Sequence, residues 1–325
     1  MTNYGFKGRL DETFPSQIMV DLTEVCNLKC THCSHPEFKK SKFYHARNLH
    51  KSLNEKMVDE VRKEKTTKTQ YIRYTSNGEP MLHPDFIQII LYAIKFSEVK
   101  VTVTSNGTIF NENIGQLFKD GLQLLDISLD ANSDQVYKLV RGGNFNKVKG
   151  NVLKFIELRN QLNSKTKIIV SFIEQEINKH ELENFKDYWT SIVDDVIVRR
   201  LHSNAGDDTS GLEKFYGNSI QGTSRRPCLY PWERIVLNAR GMLSFCPTDW
   251  YGKSEICDYN YTTIKEIWQN NFYKDLRNVH LTNDYSNCSF CNKCPDWKFT
   301  RWPFQDGKSY ADLVSKVSKN MQLEK

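Results

Sequence analysis

The chain has 325 residues, 39% of them apolar and 26% charged, with a formal net charge of +6; this fits an ordinary soluble chain of one large domain plus a smaller one, long enough to bury a sizeable core. Lysines are spread along the chain and no block of like charge exceeds a few residues, which argues against a nucleic-acid partner. No apolar run approaches the length of a membrane span and Met1–Pro15 has no signal-peptide stretch, so the expectation is a cytoplasmic protein without a membrane partner.

In chain order, the apolar run Ile18–Leu22 reads as a strand that delivers the loop Cys26-Asn27-Leu28-Lys29-Cys30-Thr31-His32-Cys33, three thiols spaced C-x3-C-x2-C. His35–Leu53 is polar and aromatic without a clean period and reads as a loop. Helices are then predicted near Asn54–Lys65, Pro84–Phe96, Glu112–Asp120, Lys147–Leu162 and Lys179–Ser191. Each leads to a strand, in turn Tyr71–Tyr74, Val99–Thr104, Leu124–Leu129, Lys167–Phe172 and Asp195–Val198. Six strands alternating with helices imply a parallel sheet with right-handed crossovers. Periodicity leaves open whether the sheet is doubly wound or a partial barrel; in both, chemistry belongs at the carboxyl ends of the strands.

Those ends carry polar motifs. Thr75-Ser76-Asn77-Gly78-Glu79-Pro80 follows the second strand, Thr104-Ser105-Asn106-Gly107-Thr108 ends the third, and Ser128-Leu129-Asp130 ends the fourth, with Arg141-Gly142-Gly143 one short helix later. Each alone reads equally as a turn or helix cap. Arg199-Arg200 ends the sixth strand, where a cation is either a substrate anchor or a surface ion pair.

His202–Arg226, rich in Gly, Ser, Asn and Asp, marks a boundary, giving divisions at 1–203, 204–226 and 227–325. Beyond it, Ile235–Leu237 and Met242–Phe245 flank a turn with Gly241 and read as a β-hairpin between Cys228 and Cys246; a helix near Thr262–Asn270 follows, then Cys288, Cys291 and Cys294. Tyr310, Leu313, Val317 and Met321 stand at helical spacing, the apolar side of a helix packed on the body.

Nine cysteines, three at 26–33 and six at 228–294, suggest metal or redox chemistry rather than disulfides. Three thiolates on one loop suffice for three irons of a [4Fe–4S] cubane and leave the fourth iron open. Zinc, which needs a fourth ligand, and a set of buried structural cysteines are the competing readings.

The loop resembles the cluster motif of radical S-adenosylmethionine (radical SAM) enzymes, with His32 at the usually aromatic position. The strand-end motifs resemble that family's in the same order, over about residues 17–200. The resemblance implies a partial (β/α)6 barrel and a cluster whose open iron binds S-adenosyl-L-methionine. It further implies reductive cleavage to a 5′-deoxyadenosyl radical, and an external low-potential electron donor such as flavodoxin or ferredoxin. It assigns Gly78 and Glu79 to the methionine amino group, Asn106 to the ribose, and Ser128 and Arg141 to the ribose or carboxylate. Asn77 departs from the family's first glycine.

The pattern C-x12-G-x4-C followed by C-x2-C resembles the twitch/SPASM auxiliary-cluster domains, here a small hairpin/helix unit. That resemblance assigns one auxiliary [4Fe–4S] cluster to Cys228, Cys246, Cys291 and Cys294, leaving Cys257 and Cys288 as candidate hydrogen-atom donors; a structural zinc site is the alternative. With only Met1–Gln17 ahead of the first strand, the expected substrate is a carbohydrate or aminocyclitol-like small molecule that is oxidised, or epimerised. A ribosomal peptide comes second, and a non-catalytic zinc or iron–sulfur binding module is the reading from another class.

Overall fold

The structure, a computed structural model, describes residues 4–64, 69–75, 77–206, 225–303, 305 and 309–315. Six parallel strands, β1 (Gln17–Val20), β2 (Tyr71–Tyr74), β3 (Lys100–Ser105), β4 (Leu124–Ser128), β5 (Lys167–Ile173) and β6 (Asp195–Arg199), stand in sequence order across the sheet. Between them run α1 (His35–Phe38), α2 (Lys51–Lys63), α3 (Phe86–Phe96), α4 (Ile114–Asp120), α5 (Asp134–Arg141), α6 (Phe145–Gln161) and α7 (Leu182–Thr190). This is the parallel partial-barrel arrangement that the alternating pattern and the resemblance implied. The segment expected as a loop before α2 differs: it holds α1, a bridge from Thr23 to Asn48, and the first residues of α2, where the His50 side chain accepts from the Ser52 N–H as N-cap.

Alternate residues of the strands do two jobs. Ile72, Val101, Val103, Leu125, Ile127, Ile168 and Val170 are fully buried apolar residues of the main core. On the other face Arg73, Thr104, Asp126 and Arg199 meet one another, so the sheet interior is polar and charged where a closed barrel would be filled with branched aliphatics.

The hairpin expected in the C-terminal part is present as β7 (Arg234–Leu237) and β8 (Met242–Ser244), entered through α8 (Tyr230–Glu233), and β9 (Glu255–Asp258) adds a third strand. It is not a separate sheet. β7 pairs parallel with β1 from Gln17↔Arg234 to Val20↔Leu237, making one nine-stranded sheet in the order β6-β5-β4-β3-β2-β1-β7-β8-β9.

The expected helix near Thr262–Asn270 is α9 (Ile264–Gln269), opened by a Thr263/Glu266 capping box. Asn270 ends it and caps a further helix, α10 (Asn271–Thr282), by accepting from the Tyr273 N–H. α11 (Ser289–Asn292) carries Cys291, and α12 (Tyr310–Ser315) packs Ala311 and Val314 on Tyr71. Val317 and Met321, and residues 207–224 of the proposed boundary segment, lie outside the described residues. No described helix is long and apolar enough to cross a membrane.

Candidate active site

The cysteine loop is held against the C-terminus of α5. The carbonyls of Val140 and Arg141, which have no partner inside their own helix, accept from the N–H groups of Thr31 (2.8 Å) and Lys29 (3.2 Å). Gly142 turns the chain out of the helix at φ +72°, the left-handed turn that favours glycine, and the Lys29 side chain packs over it.

Each of the three loop sulfurs faces an N–H donor from a different segment. Asn106 Nδ2 donates to Cys26 Sγ (3.9 Å), Arg141 Nη1 to Cys30 Sγ (3.7 Å) and the His35 N–H to Cys33 Sγ (3.4 Å). Burial pushes the Cys30 thiol up to about 11 and the Cys33 thiol up to about 12, and raises Cys26 as well. Partly buried sulfurs that resist ionising alone, yet are met by donors suited to negative charge, fit ligands whose thiolates are stabilised by metal; such hydrogen bonds also tune a cluster's potential.

The Asn-Gly-Glu-Pro segment is also a structural joint to the loop after β1. A Cβ on Gly78 would lie 2.0 Å from the Thr23 carbonyl oxygen, and the Glu79 N–H donates to the Val25 carbonyl (2.9 Å). The close backbone approach that demands glycine is therefore to the loop after β1. The fully buried Glu79 carboxylate already accepts from Ser105 Oγ (2.8 Å), the Asn106 N–H (2.6 Å) and the Met81 N–H (3.1 Å). Burial raises its pKa and these donors oppose the rise. By donor counting, Glu79 Oε2 keeps one acceptor position for a further cation. Asn106 is likewise engaged: its Oδ1 accepts from Thr108 and its Nδ2 donates to Asn27 Oδ1 (2.9 Å).

Asp130 is the hub that sequence reading passed over in favour of Ser128. Its backbone is left-handed (φ +62°), its Oδ1 accepts from the Ile173 N–H (2.6 Å), and its Oδ2 lies 2.5 Å from Arg141 Nη2 and 3.6 Å from His32 Nε2. Arg141 is 5% exposed and its buried Nε has no hydrogen-bond partner in the structure, an unused donor beside the cysteine loop. His32 also contacts Gln175 Nε2 through Nδ1 (3.2 Å), and burial pushes its pKa down to about 4 against the pull of Asp130, leaving a neutral ring. Ser128 lies nearby with its hydroxyl 3.5 Å from Ser171 Oγ. The available signal for Asp130 was its place at a strand end, three residues before Ser133, the N-cap of α5.

On the sheet's inner face Arg199 pairs with Asp126, whose Oδ2 is also 3.5 Å from Arg73 Nη2. Asp126 is fully buried and its Oδ1 has no hydrogen-bond partner. Arg200 is exposed, its guanidinium 5.5 Å from the Phe299 ring centroid.

In the C-terminal part Cys228, Cys246, Cys291 and Cys294 all line one largely apolar cavity with Tyr230, Phe245, Phe290 and Trp297. Burial pushes the thiols of Cys228, Cys246 and Cys294 up to about 12. Among the described residues no three His, Cys, Asp or Glu side chains converge on a single ion; four sulfurs around a shared cavity suit a cluster, whose ligands bind separate irons. Cys288 stands outside that cavity, beside Cys291; with no metal bound, a hydrogen bond from the Cys291 thiol pulls Cys288 down to about 6 and raises Cys291. Cys257 reaches neither site: it lies on β9, three strands from β1, half-buried against the core.

Two family models match. Residues 20–185 match the Radical SAM superfamily, and residues 228–295 match SPASM, an iron–sulfur cluster-binding domain. A GTP 3′,8-cyclase of Clostridium botulinum is 30% identical over 170 residues, 52% of this chain and 50% of that protein. A probable GTP 3′,8-cyclase of Methanococcus maripaludis is 31% identical over 178 residues, 53% and 54% of the two chains. The chain thus spans about half the length of these curated relatives. Among solved structures, BtrN in complex with AdoMet and 2-DOIA matches with a TM-score of 0.56 at 15% identity, over 93% of this chain and 98% of that one. Streptococcus suis SuiB bound to precursor peptide SuiA gives 0.64 at 14% identity, over 94% and 74%. With an N–H donor at each of three loop sulfurs at one end of the barrel and four further cysteines around one cavity, the chain belongs to the radical SAM superfamily and carries a C-terminal SPASM iron–sulfur domain.

Proposed function

We propose that this chain oxidises a small, hydroxyl-rich molecule of the carbohydrate or aminocyclitol type by radical chemistry. The observation that carries the reading is the cysteine loop, where Cys26, Cys30 and Cys33 would hold three irons of a cluster and each sulfur meets its own N–H donor. When bound there, the cluster and S-adenosyl-L-methionine supply a 5′-deoxyadenosyl radical that takes a hydrogen atom from the substrate. In this reading Arg141 Nε and Glu79 Oε2 are the donor and acceptor for the carboxylate and amine of the cofactor. Asn106, Asp130 and Gln175 hold the loop and its neighbours in place.

Cys228, Cys246, Cys291 and Cys294 would hold one auxiliary cluster, which suits a reaction that must hand an electron to an acceptor. The polar inner face, with Thr104, Asp126, Ser128 and Ser171, offers hydrogen-bonding groups of the kind a polyol needs, and the end-to-end likeness to BtrN in complex with AdoMet and 2-DOIA supports a small substrate. A peptide substrate is favoured by the likeness to SuiB bound to precursor peptide SuiA.

Anaerobic reconstitution with iron and sulfide, followed by a reductant and S-adenosylmethionine, tests the reading. The expected result is two cubanes and 5′-deoxyadenosine. Changing Cys26, Cys30 and Cys33 together to Ala should abolish the product and remove about half the iron, by ligand counting. Deoxyadenosine from that triple variant refutes the assignment; stoichiometric zinc without iron would favour a binding module.

A further inference from the structure

Among the described residues, one unassigned space is a chamber of about 480 Å³ between the end of β6, the start of β7, the segment at 298–301 and α12. Its described lining holds six cationic side chains, Arg199, Arg200, Arg226, Arg234, Lys298 and Arg301, against one carboxylate, Glu233. Glu233 is committed to Arg234, whose Nε donates to Glu233 Oε2 at 2.9 Å. At the inner end, Asp126 serves Arg199 and Arg73 together, so two guanidiniums share one carboxylate. Arg226 is fixed by neutral partners: its Nη2 donates to the carbonyls of Lys298 (2.6 Å) and Thr300 (3.0 Å), which hold the guanidinium in place without neutralising it. Arg301 is exposed at the rim. His202, also in the lining, shows the resulting field: burial lowers its pKa, Asp296 opposes this, and Arg199, Arg234 and Arg73 lower it further.

The chamber's position matters as much as its charge. Arg199 belongs both to it and to the inner-face cluster with Asp126, and Tyr230 lines both it and the cavity of the four C-terminal cysteines. A molecule anchored here would extend from the barrel interior to the wall of the proposed auxiliary-cluster site.

We propose that this chamber binds a phosphate group of the substrate, with Arg226 and Arg301 as its principal anchors and Arg234 behind them, so that the molecule acted on is a phosphorylated small polar compound. The proposal rests on the reading of the chain as an enzyme acting on a small polar molecule, and it names the class. A planar carboxylate is matched by one guanidinium fork, whereas a phosphate dianion presents terminal oxygens in several directions and suits several converging cations.

The test uses the reconstituted holoenzyme with S-adenosylmethionine present and inorganic pyrophosphate as the probe, by anaerobic calorimetry at low and moderate salt. Saturable binding that weakens with salt is expected, with at least tenfold loss in Arg301→Gln and in Arg226→Gln, partial retention in Arg301→Lys, and malonate at least tenfold weaker than pyrophosphate. Because Arg226 also braces the 298–300 carbonyls, Arg301→Gln decides the matter if the Arg226 variant does not fold. Absence of saturable binding, binding unchanged in Arg301→Gln, or tighter binding of malonate would each overturn the proposal. Deoxyadenosine formation measured on the same wild-type sample separates the two readings: turnover without pyrophosphate binding removes the phosphate site alone, while Arg301-dependent binding without turnover removes the enzyme reading and leaves the anion site standing.

Discussion

Arg141 sets its Nη2 2.5 Å from Asp130 Oδ2 while its Nη1 donates to Cys30 Sγ at 3.7 Å, so one guanidinium joins the end of β4 to the cysteine loop. Both partners are buried, and an unpaired buried charge is costly. Asp130→Asn keeps a side chain that tolerates the left-handed backbone and still accepts from Ile173, but it removes the charge opposite Arg141. The expected loss of unfolding free energy is about 3 kcal/mol, from the cost of breaking a buried pair. Urea unfolding of the metal-free protein checks it, and a change below about 1 kcal/mol, the scale of an exposed pair, would show that the pair is solvent-screened.

The cofactor contacts carry a second expectation. Glu79→Gln places an amide N–H₂ among three donors that now point at a carboxylate, and Arg141→Lys removes the fork and its unused Nε donor. Each should weaken S-adenosylmethionine binding by about 1.5–3 kcal/mol, the range for a hydrogen bond to a charged group. Equilibrium dialysis of the reconstituted protein would show it; unchanged affinity in both variants removes these two residues from the cofactor site.

Much of this site was legible because cysteine spacing and strand-end motifs are local in sequence. The six barrel strands were read from alternation, and the four C-terminal thiols that the SPASM resemblance assigned do share a cavity. What escaped was non-local. Nothing near Gly78 in sequence says that its neighbour is the Thr23 carbonyl, and nothing near Asp130 says that it faces Arg141 and His32. The joining of β7 to β1 escaped for the same reason, since pairing across 217 residues leaves no periodic trace. Helix α10 was missed because Asn270, a good cap, stops one helix and starts the next.

Gly78→Ala tests the packing of the first two strand-end loops. A Cβ 2.0 Å from a main-chain oxygen cannot be absorbed by a rotamer change, so the loop after β1 or the loop after β2 must move. Loss of about 3 kcal/mol or more is expected, in the class of severe backbone and overpacking defects. The same variant should lower iron incorporation at the N-terminal site, read as iron per chain; normal stability and iron content would show that the two loops are loosely joined.

Asp21 gives a pH prediction. Burial, with Glu24 adding to it and Arg240 opposing, pushes its carboxyl up from 3.8 to about 7. The folded chain therefore holds this proton more tightly than the unfolded chain. That stabilisation is complete below the unfolded value and is lost as pH rises through 7. Asp21→Asn, which cannot ionise, should match the wild type near pH 4 and exceed it by about 2 kcal/mol at pH 8, a discounted fraction of the full linkage. Denaturant midpoints across that range measure it; a difference that does not grow with pH would place an ionised carboxylate there in the native state.

The fate of the substrate after hydrogen abstraction is the last expectation, and the two leftover cysteines decide it. Oxidation removes a further proton and electron, and needs an electron acceptor but no thiol. Epimerisation needs an S–H group that returns a hydrogen atom to the opposite face of the substrate. Cys257 lies on β9 at the far edge of the sheet and packs against the core. Cys288 lies outside the linings of both the cysteine cavity and the basic chamber. Neither is placed to meet a molecule on the inner face beside Arg199, so oxidation is expected. A substrate found by its consumption from a pool of phosphorylated sugars and aminocyclitols, turned over in deuterated water, should yield a product lighter by two hydrogens with no deuterium on carbon. An inverted product carrying one deuterium, lost in Cys257→Ala or Cys288→Ala while deoxyadenosine still forms, would reverse the conclusion and identify the donor.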